Sequence, residues 1–138
     1  MADCIFCRIA AGQIPCVKID ESTDHLAFLD ISPLAPGHTL LIPMQHYADL
    51  RDIPVDPLAP LTAQMPRLGR AILQATGAAG LNVLQNTGAS AGQAVFHFHI
   101  HLIPRVDGDK LGYRWNAGSY GPGEAAQMQS RIVHAFGE

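Results

Sequence analysis

Three histidines alternate with apolar residues in Phe96-His97-Phe98-His99-Ile100-His101-Leu102-Ile103. A period of two belongs to a strand, so the pattern predicts a strand over 96–103. Phe96, Phe98, Ile100 and Leu102 would lie on one face and His97, His99 and His101 on the other. At about 3.3 Å per residue, neighbouring imidazoles start roughly 7 Å apart and the outer two about 13 Å apart. Only His99 has a histidine on both sides. Two chemistries could use such a face. A neutral imidazole could attack phosphorus while a protonated neighbour and backbone N–H groups of a glycine loop hold the developing charge. Alternatively, His-x-His could supply two ligands to a zinc-like ion, with a third ligand elsewhere and an open position for water. The strand itself holds no carboxylate or fourth histidine. The small-residue segment Asn86-Thr87-Gly88-Ala89-Ser90-Ala91-Gly92-Gln93 lies directly upstream and favours phosphoryl chemistry.

A second group sits at the start of the chain. Cys4 and Cys7 have the spacing of two thiolates in a tetrahedral zinc site, which needs two further ligands from elsewhere. A redox Cys-x-x-Cys is the rival, without the βαβ context that such a motif uses. The three cysteines are an odd number, so at least one stays out of any intramolecular disulfide, and Cys16 reads as a small apolar residue.

The elements that must position these groups follow from hydrophobic period. Residues 16–20 and 25–31 read as strands close enough to pair as a hairpin. Residues 32–37 are dense in turn formers, and 38–43 read as a buried strand stopped by Pro43. From Asp56, a plausible N-cap with Pro57 at the first helical position, Leu58, Leu61, Met65, Leu68, Ile72 and Ala75 recur at helical spacing. Pro66 inside that pattern predicts a kink or two shorter helices. Gly77 and Gly80 end the helix, and 81–85 read as a strand. After the histidine strand, 108–123 hold five glycines and no period, and Ala125, Met128, Ile132 and Phe136 signal a short C-terminal helix. These elements predict an α+β fold with a mainly antiparallel five-stranded sheet, one long helix and a short C-terminal helix.

The 138 residues suit one domain over 1–138, with the motifs in about 4–105 and the glycine-rich segment and last helix in 106–138. An apolar content of 48% supports a packed core rather than disorder. The net charge of −3 and the lack of a basic run disfavour nucleic acid as a partner. No signal-peptide pattern and no apolar stretch of membrane-spanning length is present, so the expected location is cytoplasmic, with no membrane partner.

The run His97-Phe98-His99-Ile100-His101-Leu102-Ile103 resembles the His-φ-His-φ-His-φ-φ signature of the histidine triad (HIT) family, in a bacterial-type nucleotide-binding form. The similarity extends through Asp30-Ile31-Ser32-Pro33-Leu34-Ala35-Pro36-Gly37-His38, Asn86 and Gly92-Gln93, and begins near Cys4-Ile5-Phe6-Cys7. It implies a HIT-like protomer that pairs as a homodimer and binds a purine nucleotide with its α-phosphate against the histidines. It also implies hydrolase or transferase activity at that phosphorus, on a nucleoside phosphoramidate or a dinucleoside polyphosphate. By resemblance, His99 is the nucleophile and forms a nucleotidyl-histidine that water hydrolyses. His101 contacts the phosphate or assists the leaving group, His97 supports the central ring, and His38 completes the site. Asp30 would accept hydrogen bonds from ribose hydroxyls, which suits an acceptor-only carboxylate. Asn86, Gly92 and Gln93 would stand beside the phosphate, and Ile31 and Phe28 would wall the base.

Ala94 departs from the family pattern, because phosphoramidase branches place a serine there and related branches a threonine. The missing hydroxyl weakens a phosphoramidase assignment and leaves dinucleoside polyphosphates as the competing substrate. The resemblance further implies one structural zinc per chain held by Cys4, Cys7, His46 in Ile42-Pro43-Met44-Gln45-His46-Tyr47, and His97. That zinc would take His97 out of proton chemistry, and no organic cofactor is expected. Two other classes remain open at this point: a nucleotide-binding adaptor with vestigial catalysis, and a metal-dependent hydrolase that uses the triad face.

Overall fold

The structure is a computed structural model that describes residues 3–111 and 117–137. Its helices are α1 (Ile5–Ala10), α2 (Val55–Thr62), α3 (Met65–Thr76) and α4 (Glu124–Phe136), and its strands are β1 (Lys18–Glu21), β2 (His25–Leu29), β3 (Thr39–Pro43), β4 (Gly80–Leu84) and β5 (Ile100–Arg105). The five strands form one sheet in the order β1-β2-β3-β5-β4. Every neighbouring pair is antiparallel. This is the α+β architecture expected from the sequence. No helix among the described residues is long and apolar enough to cross a membrane. The glycine-rich stretch at 108–123 falls partly outside the described residues.

Strand alternation sorts the core into two layers. Ala27, Leu41, Ile100 and Leu102 cluster with Leu61, Leu68 and Ile72 of α2 and α3. Leu26, Phe28, Leu40 and Ile42 cluster with Phe6 of α1. Leu40 pairs with His101 and Asp30 N–H bonds to the carbonyl of His38, so Asp30, His38 and His101 share the α1 face of the sheet. The helical spacing read from Leu58 to Ile72 faces the other layer, as expected.

The long helical run is two helices, one of the two outcomes expected from Pro66, which lies in the first turn of α3, where its missing N–H costs nothing. Other boundaries differ from the expectation. The first half of that run begins at Val55 with Pro54 as N-cap, two residues ahead of the expected cap Asp56. The C-terminal helix is the longest of the four, at 13 residues. The six-residue α1 had no expected counterpart; the Cys4 sulfur caps it by accepting from Cys7 N–H.

The histidine strand also starts late, at Ile100 rather than Phe96. The β3–β5 register pairs Leu41 with Ile100, and continuing it would set Pro43 opposite Phe98. Pro43 has no N–H for the ladder. Phe98 N–H instead donates to the Tyr47 carbonyl at 2.6 Å. The expected two-faced alternation therefore fails at its first residue: Phe96 is 49% exposed while Phe98, Ile100 and Leu102 are buried. His97 and His99 are buried too, outside any strand.

Gly37 sets the approach to His38. Its φ is +95°, and a Cβ there would come 2.6 Å from Thr76 Cγ2 at the end of α3. Gly37→Ala is expected to lower stability by about 2–4 kcal/mol through left-handed strain and overpacking, read from denaturant midpoints.

Candidate active site and metal centre

The end of β3, the start of α1 and the non-strand segment before β5 bring Cys4, Cys7, His46 and His97 together. His97 Nδ1 lies 3.4 Å from Cys4 Sγ, 3.5 Å from Cys7 Sγ and 3.3 Å from His46 Nδ1. Cys7 Sγ lies 3.3 Å from His46 Nδ1. A tetrahedral zinc at about 2.3 Å from sulfur and 2.0–2.1 Å from nitrogen sets edges of roughly 3.3 Å between nitrogens and 3.6 Å between sulfur and nitrogen. The donor set fits that ion in both type and spacing. His97 Nε2 is 2.9 Å from the Pro43 carbonyl, which only accepts, so the proton sits on Nε2 and the Nδ1 lone pair faces the cluster. Burial pushes the His97 imidazole down to about 4, which keeps it neutral as a ligand must be. Burial, with Cys4 alongside, pushes the Cys7 thiol up; a coordinated cation reverses that balance and favours the thiolate.

The neighbouring histidines have their tautomers fixed by backbone groups. His99 Nδ1 lies 2.7 Å from the His97 carbonyl, so Nδ1 carries the proton and Nε2 keeps its lone pair. Leu34 N–H donates to His38 Nδ1 at 3.0 Å, which places the His38 proton on Nε2. That Nε2–H donates to His101 Nδ1 at 2.9 Å, which leaves the His101 proton on its own Nε2. The site thus presents a lone pair on His99 and an N–H donor on His101, with ring centroids 4.9 Å apart. Burial lowers the His99 and His38 imidazoles, and burial followed by His99 and His38 pushes His101 down to about 4. All three are neutral near pH 7.

Asp30, His38 and His101 also approach closely enough to be weighed as a metal group. The tautomers argue against it. A metal there would need the His38 Nε2 lone pair, but a neutral imidazole has one lone pair, and Leu34 N–H occupies it at Nδ1.

A pH dependence follows from His101. Its folded pKa of about 4 lies below the unfolded value of about 6.5, so the unfolded chain binds more protons between those values. Its contribution to stability is complete above pH 6.5 and is lost as pH falls toward 4, with a slope of up to about 1.4 kcal/mol per pH unit. Urea unfolding from pH 7 to 4 should show a shallower loss in His101→Asn than in the native chain. Equal slopes would contradict the assignment.

The residues expected to hold the nucleotide are placed unevenly. Asp30 Oδ2 lies 3.6 Å from His38 Nε2, and Asp30 Oδ1 accepts from Ser32 N–H. Asp30 therefore stands at the rim of the histidine cluster. Phe28 is buried, with its ring 5.6 Å from Phe6. Ile31 is 98% exposed and walls nothing within this chain. Asn86 packs beside Gly92, where the positive φ of +99° and the 3.4 Å approach of Asn86 Nδ2 favour glycine. Gln93 is buried and braces the loop: Oε1 accepts from Gly88 N–H, and Nε2 donates to the Ala48 and Val95 carbonyls. Its amide is thus engaged within the protein rather than aimed at a phosphate. Four of the loop N–H groups, those of Gly88, Ala91, Gly92 and Gln93, bond within the loop.

Sequence reasoning missed four contributors. Three are backbone groups, the Leu34 N–H and the Pro43 and His97 carbonyls, which carry no side-chain signal. The fourth is Phe6, whose ring meets those of His97 and His99 edge-on at 5.9 and 5.1 Å. Its place between Cys4 and Cys7 was its only sequence signal.

Residues 11–108 match the family model of the HIT domain. The chain belongs to the HIT family. Among HIT relatives, adenylylsulfatase HINT3 of Arabidopsis thaliana is 45% identical over 109 residues, covering 79% of this chain and 55% of that protein. The chain spans about half the length of that relative. Adenosine 5'-monophosphoramidase hnt1 of Schizosaccharomyces pombe is 38% identical over 130 residues, covering 94% of this chain and 95% of the relative. The solved structure of SMU.412c from Streptococcus mutans UA159 matches with a TM-score of 0.94 at 40% identity, over 99% of this chain and 87% of that one. A Zn-bound histidine triad family protein from Mycobacterium smegmatis matches with a TM-score of 0.76 at 38% identity, over 94% and 98% of the two chains. The hydrolase names of these relatives support, at a coarse level, a nucleotide hydrolase.

Proposed function

We propose that this HIT protein cleaves adenosine nucleotide conjugates at the α-phosphorus through a covalent intermediate on His99. The observation that carries this reading is the 2.7 Å hydrogen bond from His99 Nδ1 to the His97 carbonyl, which leaves the buried Nε2 as a neutral nucleophile. Nε2 attacks phosphorus, the bond from phosphorus to the leaving group breaks, and the imidazole gains positive charge. The His97 carbonyl accepts from an increasingly acidic N–H as that charge grows, so the bond strengthens toward the transition state. His101 donates its Nε2–H to the phosphoryl group, and Asp30 at the rim accepts from the ribose. Being neutral, His101 serves as a hydrogen-bond donor rather than as a proton source. Ala94 supplies no hydroxyl, so a departing amine takes its proton from solvent. Water then attacks the phosphorus, the P–N bond to His99 breaks, and a proton returns to solvent.

The leaving groups that fit are those of the named relatives, an amine or sulfate, and a second nucleotide. The four-ligand centre holds a structural zinc in this reading, supported by its edge lengths and by the zinc-bound relative. A homodimer is supported by α4, where Met128, Ile132, Val133 and Phe136 are all exposed. Intact mass after acid quench, during turnover of an adenosine phosphoramidate, tests the chemistry. An adenylyl adduct on the native chain is expected, and turnover without an adduct at any quench time would refute the covalent step.

A further inference from the structure

We propose that the Cys4–Cys7–His46–His97 centre is the positioning device of the nucleophile, with bound zinc fixing the His97 carbonyl that orients His99. The proposal rests on the reading of His99 as nucleophile and gives the metal a role in the reaction beyond holding the N-terminus.

The local backbone is what makes such a device necessary. His97 and His99 lie before β5 begins, so no strand ladder fixes the direction of the His97 carbonyl. In that segment Phe98 N–H donates to the Tyr47 carbonyl, off the ladder. The His97 side chain supplies the constraint instead. Its Nε2 is held at 2.9 Å by the Pro43 carbonyl, and its Nδ1 points into the ligand cluster, 3.3–3.5 Å from the other three donors. A ring pinned at both nitrogens fixes its own main chain, and that main chain carries the oxygen 2.7 Å from His99 Nδ1. The same centre fixes a second contact. Phe6 lies between the two cysteine ligands and presents its ring edge-on to His99 at 5.1 Å. The metal therefore closes a link from α1 through His97 to the nucleophile along two routes, one setting the tautomer and one the ring orientation. Groups that orient the ligands of a metal typically carry 10–100-fold effects on affinity or activity when removed, and a ligand that orients a catalytic group should fall on the same scale.

The test compares the zinc-loaded full chain with the same chain after chelation, using ¹⁵N-histidine spectra to read the His99 tautomer. His99→Gln assigns the resonance. Zinc-loaded protein should show a single Nδ1–H tautomer. Stripped protein should show a mixture of tautomers, while the amides of Leu41 and Leu102 stay dispersed. Single-turnover adduct formation should slow about tenfold with KM unchanged, and zinc should restore both readouts. An unchanged tautomer after zinc loss overturns the proposal. So does a sheet that unfolds, because the metal would then hold the fold rather than one carbonyl. Zinc-loaded Phe6→Leu checks the second route: it should keep its zinc and form the adduct several-fold more slowly, and a native rate overturns that route. If the zinc-loaded native chain forms no adduct, the nucleophile assignment fails, and the tautomer comparison still decides the coupling.

Discussion

His99→Ala is expected to lower kcat/KM for an adenosine phosphoramidate by about 10⁴-fold or more, equivalent to roughly 5.5 kcal/mol of transition-state stabilisation. The size follows from the absence of a substitute among the neighbouring rings. His101 cannot take over, because its Nδ1 lone pair accepts from His38 and its Nε2 carries the proton. His97 cannot, because its Nδ1 faces the cysteines and its Nε2 is bonded to Pro43. Residual activity in the variant would come from phosphate positioning alone. Removing a hydrogen-bonding partner costs less: His38→Ala frees His101 to change tautomer and should reduce kcat by about 10²-fold while the adduct still forms. Steady-state kinetics on both variants, with nucleotide binding measured separately to confirm an intact fold, separates nucleophile from support. A His99→Ala enzyme within tenfold of native would remove His99 from the chemistry.

The residues of this site were more legible than their geometry. The period-two histidines, the Cys4–Cys7 spacing and the helical run from Leu58 to Ile72 are local patterns, and each maps onto a real cluster or face. What failed to show was decided by partners far away in the chain. The strand signal over 96–103 is sound by composition, but Pro43, more than fifty residues upstream, lacks the N–H that the ladder would need there. Gln93, expected beside the phosphate by resemblance, bonds through its amide to Gly88, Ala48 and Val95, partners that no local pattern announces. The tautomers depend on the Leu34 N–H and two carbonyls, and backbone groups are identical at every position of a sequence. Ile31, expected to wall the base, lies beyond the end of β2 at Leu29 and is exposed.

Loss of the metal should have the largest effect on stability. Helix α1 spans six residues, too few to hold its own hydrogen bonds in water, and only Phe6 of that helix is buried. Its attachment therefore depends on Cys4 and Cys7 meeting His46 and His97 across separate elements. A native chain should carry about one zinc by elemental analysis, and Cys4→Ser/Cys7→Ser should carry none. With free zinc a thousandfold above its dissociation constant, linkage gives the loaded fold about 4 kcal/mol that the variant lacks, read as a lower denaturant midpoint. The core layer built on α2 and α3 contains no metal ligand, so the sheet should persist in the variant while α1, with Cys4 and Phe6, comes away from the other layer. The difference between native chain and variant should narrow with acid, because the thiolates and the imidazoles of His46 and His97 must be unprotonated to bind and protonation releases the metal. A metal-free native preparation as stable as the zinc-loaded one would show that the four ligands converge without holding an ion. The coupling of His97 to His99 would then have to arise from the Pro43 hydrogen bond alone.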